Sequence, residues 1–267
     1  MTQATKPDLA LERIQQGLAA AQINWQALLS MIAKFPRYSF TNVLLILMQC
    51  PNASLVQGFN SWKALNRFVK KGEKGIQIFA PRLGKDDQGN SEIKGFMSVY
   101  VFDVSQTDGD PLPAMPTPAS DGTDQTAQVL FDTLKTWLLE EKACPVTFSQ
   151  APQGAAHYRR DSHHIEIKPN LGDIHNFGSL THEAAHALLH HKDADLENIP
   201  RETRELEAES VTLIVCEHFS IPRASGFDYL AQWQATHEEI KTHGERITKT
   251  AKTIIKALTP ETTEATE

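Results

Sequence analysis

The chain has 267 residues, of which 40% are hydrophobic and 22% charged. That composition fits one large or two modest folded domains and excludes collagen-like, coiled-coil and disordered designs. The longest apolar run, Val43 to Met48, is far too short to cross a bilayer. The first residues lack the basic start and apolar stretch of a signal peptide, so a cytoplasmic protein with no membrane partner is expected. Cys50, Cys144 and Cys216 are widely scattered and offer no spacing for a zinc knuckle or a disulfide framework.

In chain order, residues 8–33 carry apolar positions at helical spacing, and Ser39 can cap a second helix running to about Gln49. A turn at Pro51 to Ala53 leads to a short helix around Trp62 and then to the basic loop VKKGEKG. Two β-rich stretches follow, Gly75 to Ala80 and Phe96 to Val104, with Lys85 to Gly95 as their polar connection. The segment from Asp103 to Gln125 packs four prolines among small polar residues and reads as a linker. The expected organisation is α+β throughout. A small N-terminal α+β domain spans 1–107, a linker 108–125, a second domain 126–258, and a polar acidic tail 259–267 is expected to be disordered.

The formal net charge of -7 conceals a strong asymmetry. Between Tyr38 and Arg82 six bases face one acid, whereas between Asp193 and Ser210 seven acids face two bases. All 11 histidines lie at or beyond position 157, and eight of them fall between His157 and His191. A polyanion suits the first half and a cation the second.

The basic half interleaves aromatic, basic and glycine residues: Tyr38, Trp62, Arg67, Lys70, Lys71 and Lys74 among them, with Ser39 and Asn42 nearby. Single-stranded nucleic acid binds such surfaces because bases stack on aromatic faces while Lys and Arg neutralise phosphates. A plain solvated face is the competing reading of any basic run. Ser39 fits a helix cap as well as a ligand contact, Asn42 fits either, and Phe59 is expected in the core. The strings YSFTNVLLI, GFNSWKALNRFVKKGEKGIQIFAP and VFDVSQT resemble, in the same order, the N-terminal single-stranded-DNA-binding domain of ArdC-type antirestriction proteins of plasmids. The resemblance implies single-stranded DNA as the partner of residues 38–107. Asn66 stands where the family is expected to have glycine. Asn is the residue besides glycine that best tolerates a left-handed backbone, so the turn is expected to persist.

In the second half, THEAAHALLHH places His182, Glu183 and His186 in an HExxH arrangement. On a helix the two histidines, four residues apart, share one face and can meet one metal ion. Phe177, Leu180, Ala184, Ala187 and Leu188 supply the apolar stripe that makes the segment helical. A catalytic zinc needs a third protein ligand. The metzincin pattern fails, because Leu189 and Lys192 occupy its Gly and His positions. RETRELEAESVTLIV reads as a following helix on which Glu205 and Glu209 share a face. The arrangement resembles gluzincin and related zincin peptidases, a likeness that implies Glu205 as ligand and Glu209 as the support of a ligand histidine. Glu202 and Glu207 are weaker candidates, and His190 and His191 are possible extra ligands.

The implied cofactor is one divalent metal, expected to be Zn2+, with Glu183 as the general base of peptide hydrolysis. HHIEIK, from His163 to Lys168, reads as an exposed edge strand beside the cleft. Oxyanion help is expected from Tyr158 or one of the unassigned histidines. Residues 129–233 also resemble the metallopeptidase-like domain of the ArdC family. Three readings of the whole follow: an antirestriction protein that grips single-stranded DNA, a DNA-recruited protease with a protein substrate, and a DNA-binding module with a structural metal.

Overall fold

The computed structural model describes residues 25–86, 88–112, 124–150, 154–191, 199–222 and 237–259. The chain is α+β and divides into two compact units, Met1–Met115 and Pro116–Glu267.

In the first unit α1 (Trp25–Lys34) buries Trp25, Leu28, Leu29, Met31 and Ile32, a stripe at helical period. The part of the expected first helix before Trp25 lies outside the described residues. In α2 (Phe40–Gln49) Ser39 is the N-cap: its Oγ accepts the Asn42 amide at 3.2 Å. A three-stranded antiparallel sheet has the order β1 (Val56–Gly58), β4 (Ser91–Asp103), β3 (Ile76–Lys85). Its inner face buries Ile76, Ile78 and Val101. The outer face sets Gln77 opposite Tyr100, Phe79 opposite Ser98 and Pro81 opposite Phe96. β3 is an edge, and α2 covers it with side-chain amides. Asn42 exchanges two 2.9 Å hydrogen bonds with the backbone of Phe79, and Gln49 does the same with Gln77. Residues two turns apart on the helix thereby occupy the ladder positions that a further strand would fill.

Both strands run longer than the apolar pattern predicts. Most of the expected polar connection, Lys85 to Gly95, is ladder, since β3 runs to Lys85 and β4 begins at Ser91. Pairing needs backbone groups and no apolar face, and a bulge between Arg82 and Leu83 absorbs one extra residue on β4. After α3 (Phe59–Ala64), Asn66 adopts φ 52°, the left-handed conformation expected for it. It opens β2 (Arg67–Val69), which pairs with β5 (Thr107–Gly109). A Cβ at Gly109 would stand 2.2 Å from the Asn66 carbonyl oxygen, so only glycine fits there.

Asp103, 1% exposed, closes the unit. Its Oδ2 accepts the Ser54 and Leu55 amides at 2.8 and 3.0 Å, and its Oδ1 caps the 3-10 turn Val104–Gln106 through Ser105. Burial opposes ionisation of this carboxyl, but the donated hydrogen bonds outweigh it and hold the group below the usual carboxylate range.

The second unit is built from α4 (Asp124–Lys142), β6 (Val146–Phe148), β7 (Ala156–Arg159), β8 (His164–Ile167), α5 (Asp173–Leu189), α6 (Arg201–His218) and α7 (His237–Leu258). The helices bury Leu134 and Leu138, Phe177 and Leu180, Val211 and Ile214, and Ile247 and Ile254 in a common core. β6 runs parallel to β8 and β7 antiparallel to it, in the order β6, β8, β7. HHIEIK is therefore a central strand and not the expected edge; Ile165 and Ile167 are fully buried, and β7 forms the edge instead. Residues 260–267 of the tail lie outside the described residues. Among the described residues no helix is long and apolar enough to cross a membrane.

Candidate metal centre and nucleic-acid interface

α5 presents His182 and His186 from one face, with their Nε2 atoms 3.2 Å apart. α6 crosses so that Glu205 Oε2 lies 3.4 Å from His182 Nε2 and 3.6 Å from His186 Nε2. Among the described residues this is the one group of three such donors close enough to hold a single ion. Donors about 2.1 Å from a tetrahedral ion lie roughly 3.4 Å from one another, which is the edge length of this triangle. Two imidazole nitrogens and a carboxylate oxygen converge on one point, a donor set that suits a cation.

Glu209 Oε2 lies 3.2 Å from His182 Nδ1, on the side of the ring away from the triangle. Burial disfavours the charged form of His182, but hydrogen bonds to Glu205 and Glu209 hold its pKa up at about 9. His182 and His186 together draw the Glu205 carboxyl far below the usual range. Glu207 points elsewhere, into the interior, where it is fully buried. Burial works against its charge, yet hydrogen bonds from His190 and His243 keep its pKa at about 2. Of the acids considered as third ligand, Glu205 is the one brought to the histidines. His190 is outside the triangle: it is 1% exposed, stands behind His186 with its Nδ1 2.9 Å from the His186 Nδ1, and turns its Nε2 to Glu207 at 2.7 Å.

Glu183 is nearly buried beside the triangle, and its Oε2 accepts the backbone N–H of Tyr158 at 2.7 Å. The cleft over these groups is bordered by β7 through Ala156 and His157, and by Arg160 and Arg204. Tyr158 does not supply the expected oxyanion donor. Its ring is 5% exposed, and its hydroxyl is bonded to His163 Nδ1 at 2.7 Å. His163 is held in turn by the Lys142 carbonyl, and His164 by Thr147 Oγ1, which leaves His157 as the histidine of this strand pair that lines the cleft.

The first unit gives several of the expected DNA contacts structural partners, and one of them, Trp62, is corrected. Trp62 is fully buried, and its Nε1–H donates to the Phe102 carbonyl at 2.8 Å, so it is core. The Tyr38 hydroxyl donates to the Val56 carbonyl. Asn42 spends both amide atoms on β3, and Ser39 is the helix cap. Arg67 holds β5 through Thr107, Gly109 and Asp110. Short-range spacing could not show these roles, because each partner lies at least 18 residues away in sequence except in the Ser39 cap.

Lys70, Lys71 and Lys74 are exposed on the turn before β3. That turn abuts the outer face of β4: a Cβ at Gly75 would come within 2.9 Å of Tyr100 Cβ and 3.2 Å of Phe102 Cζ. On the same face Phe96 and Tyr100 are 56% and 59% exposed. Phe59, expected in the core, is exposed too, with its ring edge-on to Phe102 at 6.4 Å between centroids. The alternation Phe96, Ser98, Tyr100, Phe102 was the available sign of this face.

The family model of the N-terminal domain of anti-restriction factor ArdC matches residues 8–110. The first unit is thus similar to the N-terminal domain of ArdC. Its fold matches crystal structures of the antirestriction protein ArdC from plasmid R388. Against the Mn(II)-bound form the TM-score is 0.57 at 18% identity, covering 96% of this chain and 97% of that one. Against the metal-free form the TM-score is 0.54 at 18% identity, covering 92% and 94%. An uncharacterized protein of Bacillus anthracis, pXO2-81, is 27% identical over 272 residues, which cover 85% of this chain. The chain spans about half the length of that relative, 46%.

Proposed function

We propose that this chain is an antirestriction protein that protects incoming plasmid DNA by holding it as single strands, and that its second unit is a divalent-metal site of peptidase type. The observation that carries the first part is the juxtaposition of Lys70, Lys71 and Lys74 with the open aromatic face of β4 in a domain of ArdC type. Phe96 and Tyr100 take the stacking role expected of Trp62, with Phe59 at the margin. Bases reach such rings only when unstacked from a duplex, so single strands are preferred. In the R388 protein the name attests antirestriction and the Mn(II) complex attests a metal.

His182, His186 and Glu205 are the residues that would hold the ion, and two imidazoles with one carboxylate suit Zn2+ best. When bound, the ion supplies Lewis acidity to a water and to a substrate carbonyl. Glu183 suits the role of taking the water proton and passing it to the leaving amine, because Tyr158 N–H holds its Oε2 and the side chain lines the cleft. Among the described residues β7 is an edge beside that cleft, and it suits pairing with an extended peptide backbone. A second reading, that proteolysis of a DNA-bound protein is the main activity, is favoured by Glu183 alone, since a structural metal needs no base.

The test is binding of single-stranded and duplex oligonucleotides across salt by the whole chain. Single strands should bind more tightly. Replacing Lys70, Lys71 and Lys74 by Ala should reduce the log-log salt slope by about 2, from roughly 0.7 per lost phosphate contact. Equal affinity for duplex and single strand would overturn the reading.

A further inference from the structure

Behind the donor triangle runs a chain of hydrogen-bonding groups that the reading above leaves without a task. His186 turns Nε2 toward His182 and Glu205, and its Nδ1 lies 2.9 Å from His190 Nδ1. His190 Nε2 lies 2.7 Å from Glu207 Oε2. The other carboxylate oxygen of Glu207 takes His243 Nδ1 at 2.8 Å and the Arg246 guanidinium at 3.4 Å, both from α7. Arg246 also reaches the Leu189 carbonyl at the end of α5. His190 and Glu207 are essentially excluded from water. A buried carboxylate costs stability unless it is fully partnered, so this network is built and not incidental.

With a metal on the triangle, the proton positions follow. With the His186 Nε2 lone pair facing the triangle, its proton sits on Nδ1 and is donated to His190. His190 then accepts at Nδ1 and must carry its own proton on Nε2, which it donates to Glu207. The chain runs one way and ends on an oxygen that only accepts. His182 is held differently, by Glu209 directly at its Nδ1.

We propose that His190 and Glu207 are positioning residues for the metal ligand His186, fixing its tautomer and ring orientation, and that α7 anchors them through His243 and Arg246. The proposal rests on the metal reading of His182, His186 and Glu205. It gives the acid and the histidine that the spacing offered as alternative ligands one joint role behind the site. Hydrogen-bond partners at the far nitrogen of a ligand histidine raise its basicity and hold it ready, and losing one weakens metal binding by about 10- to 100-fold.

The experiment measures Zn(II) affinity by chelator competition on the whole chain, with the side-chain nitrogen resonances of the Zn(II)-loaded protein as a second readout. His190→Phe and Glu207→Gln should each weaken Zn(II) by about 10- to 100-fold at unchanged stoichiometry. The double variant should lose little more than the worse single one, because both break the same chain. In the wild-type protein His186 should carry its proton on Nδ1 and His190 on Nε2, a readout that needs no variant to fold. The opposite tautomer at either ring overturns the proposal. So does unchanged Zn(II) affinity in both variants when the wild type binds tightly, and that result leaves the metal reading standing. A wild-type protein that takes up no Zn(II) overturns both.

Discussion

The backbone N–H of Tyr158 donates to Oε2 of Glu183 at 2.7 Å and so ties the edge strand of the second sheet to the helix that carries both histidines. One hydrogen bond thereby sets the distance between the strand that borders the cleft and the carboxylate proposed as base. The Tyr158 side chain points the other way, to His163. The contribution of Tyr158 to the site is thus made by its backbone, which survives most changes of its side chain.

Glu183→Gln should separate the two proposed activities. The amide oxygen of Gln can still accept from Tyr158, so fold, Zn(II) content and DNA binding should be retained. Any peptidase activity should fall by about 10²- to 10⁴-fold with the base removed. Transformation of a restricting host should still show protection. Loss of protection by a variant that binds DNA normally would make proteolysis the main activity.

Trp62 and Tyr100 should behave oppositely on truncation. Trp62→Ala opens a cavity in the core of the first unit and strands the Phe102 carbonyl, costing about 3 to 5 kcal/mol of stability. Tyr100→Ala removes an exposed ring and should leave the melting temperature nearly unchanged while weakening single-stranded DNA by about 1 to 3 kcal/mol. Thermal unfolding and fluorescence anisotropy on the same samples check both.

Asp103→Ala strands the amides of Ser54, Leu55 and Ser105, and should destabilise the first unit by about 3 kcal/mol in urea unfolding. The folded-state pKa of Asp103 lies below that of the unfolded chain. Its stabilisation is therefore fully present above the unfolded value of about 4 and disappears as pH falls through the folded one. Between pH 7 and pH 3 the wild type should lose more stability than the Ala variant. Parallel losses would show that other carboxylates carry the acid sensitivity.

The cysteines should be poor nucleophiles in the folded protein. Burial pushes the Cys144 thiol up to about 11, so at pH 8 only about one in a thousand is thiolate, and the side chain is fully enclosed. Cys216 is equally enclosed, whereas Cys50 is half-buried. A thiol reagent should label Cys50 slowly and the other two only after unfolding. Rapid labelling of Cys144 in the native protein would contradict the packing around it.

The features that were legible in the sequence are local ones. His182 and His186 share a face because four residues make about one helical turn, and the cap at Ser39 and the left-handed turn at Asn66 are likewise settled by neighbouring residues. The α+β class followed from alternating and helical periods. What the sequence left open was set by partners far along the chain. Whether Glu205 or Glu207 reaches the histidines depends on the rotation of α6 against α5, which the packing of Leu206, Val211 and Ile214 decides. Trp62 and Tyr100 are both aromatic residues in the basic half. One is core and the other exposed because α3 turns its ring under the sheet while β4 turns Tyr100 outward. HHIEIK alternates as an edge strand would, but strand order is fixed by which ladders close, and β6 and β7 closed on its two sides. Periodicity records which face of an element is apolar, and only the tertiary structure decides what that face meets.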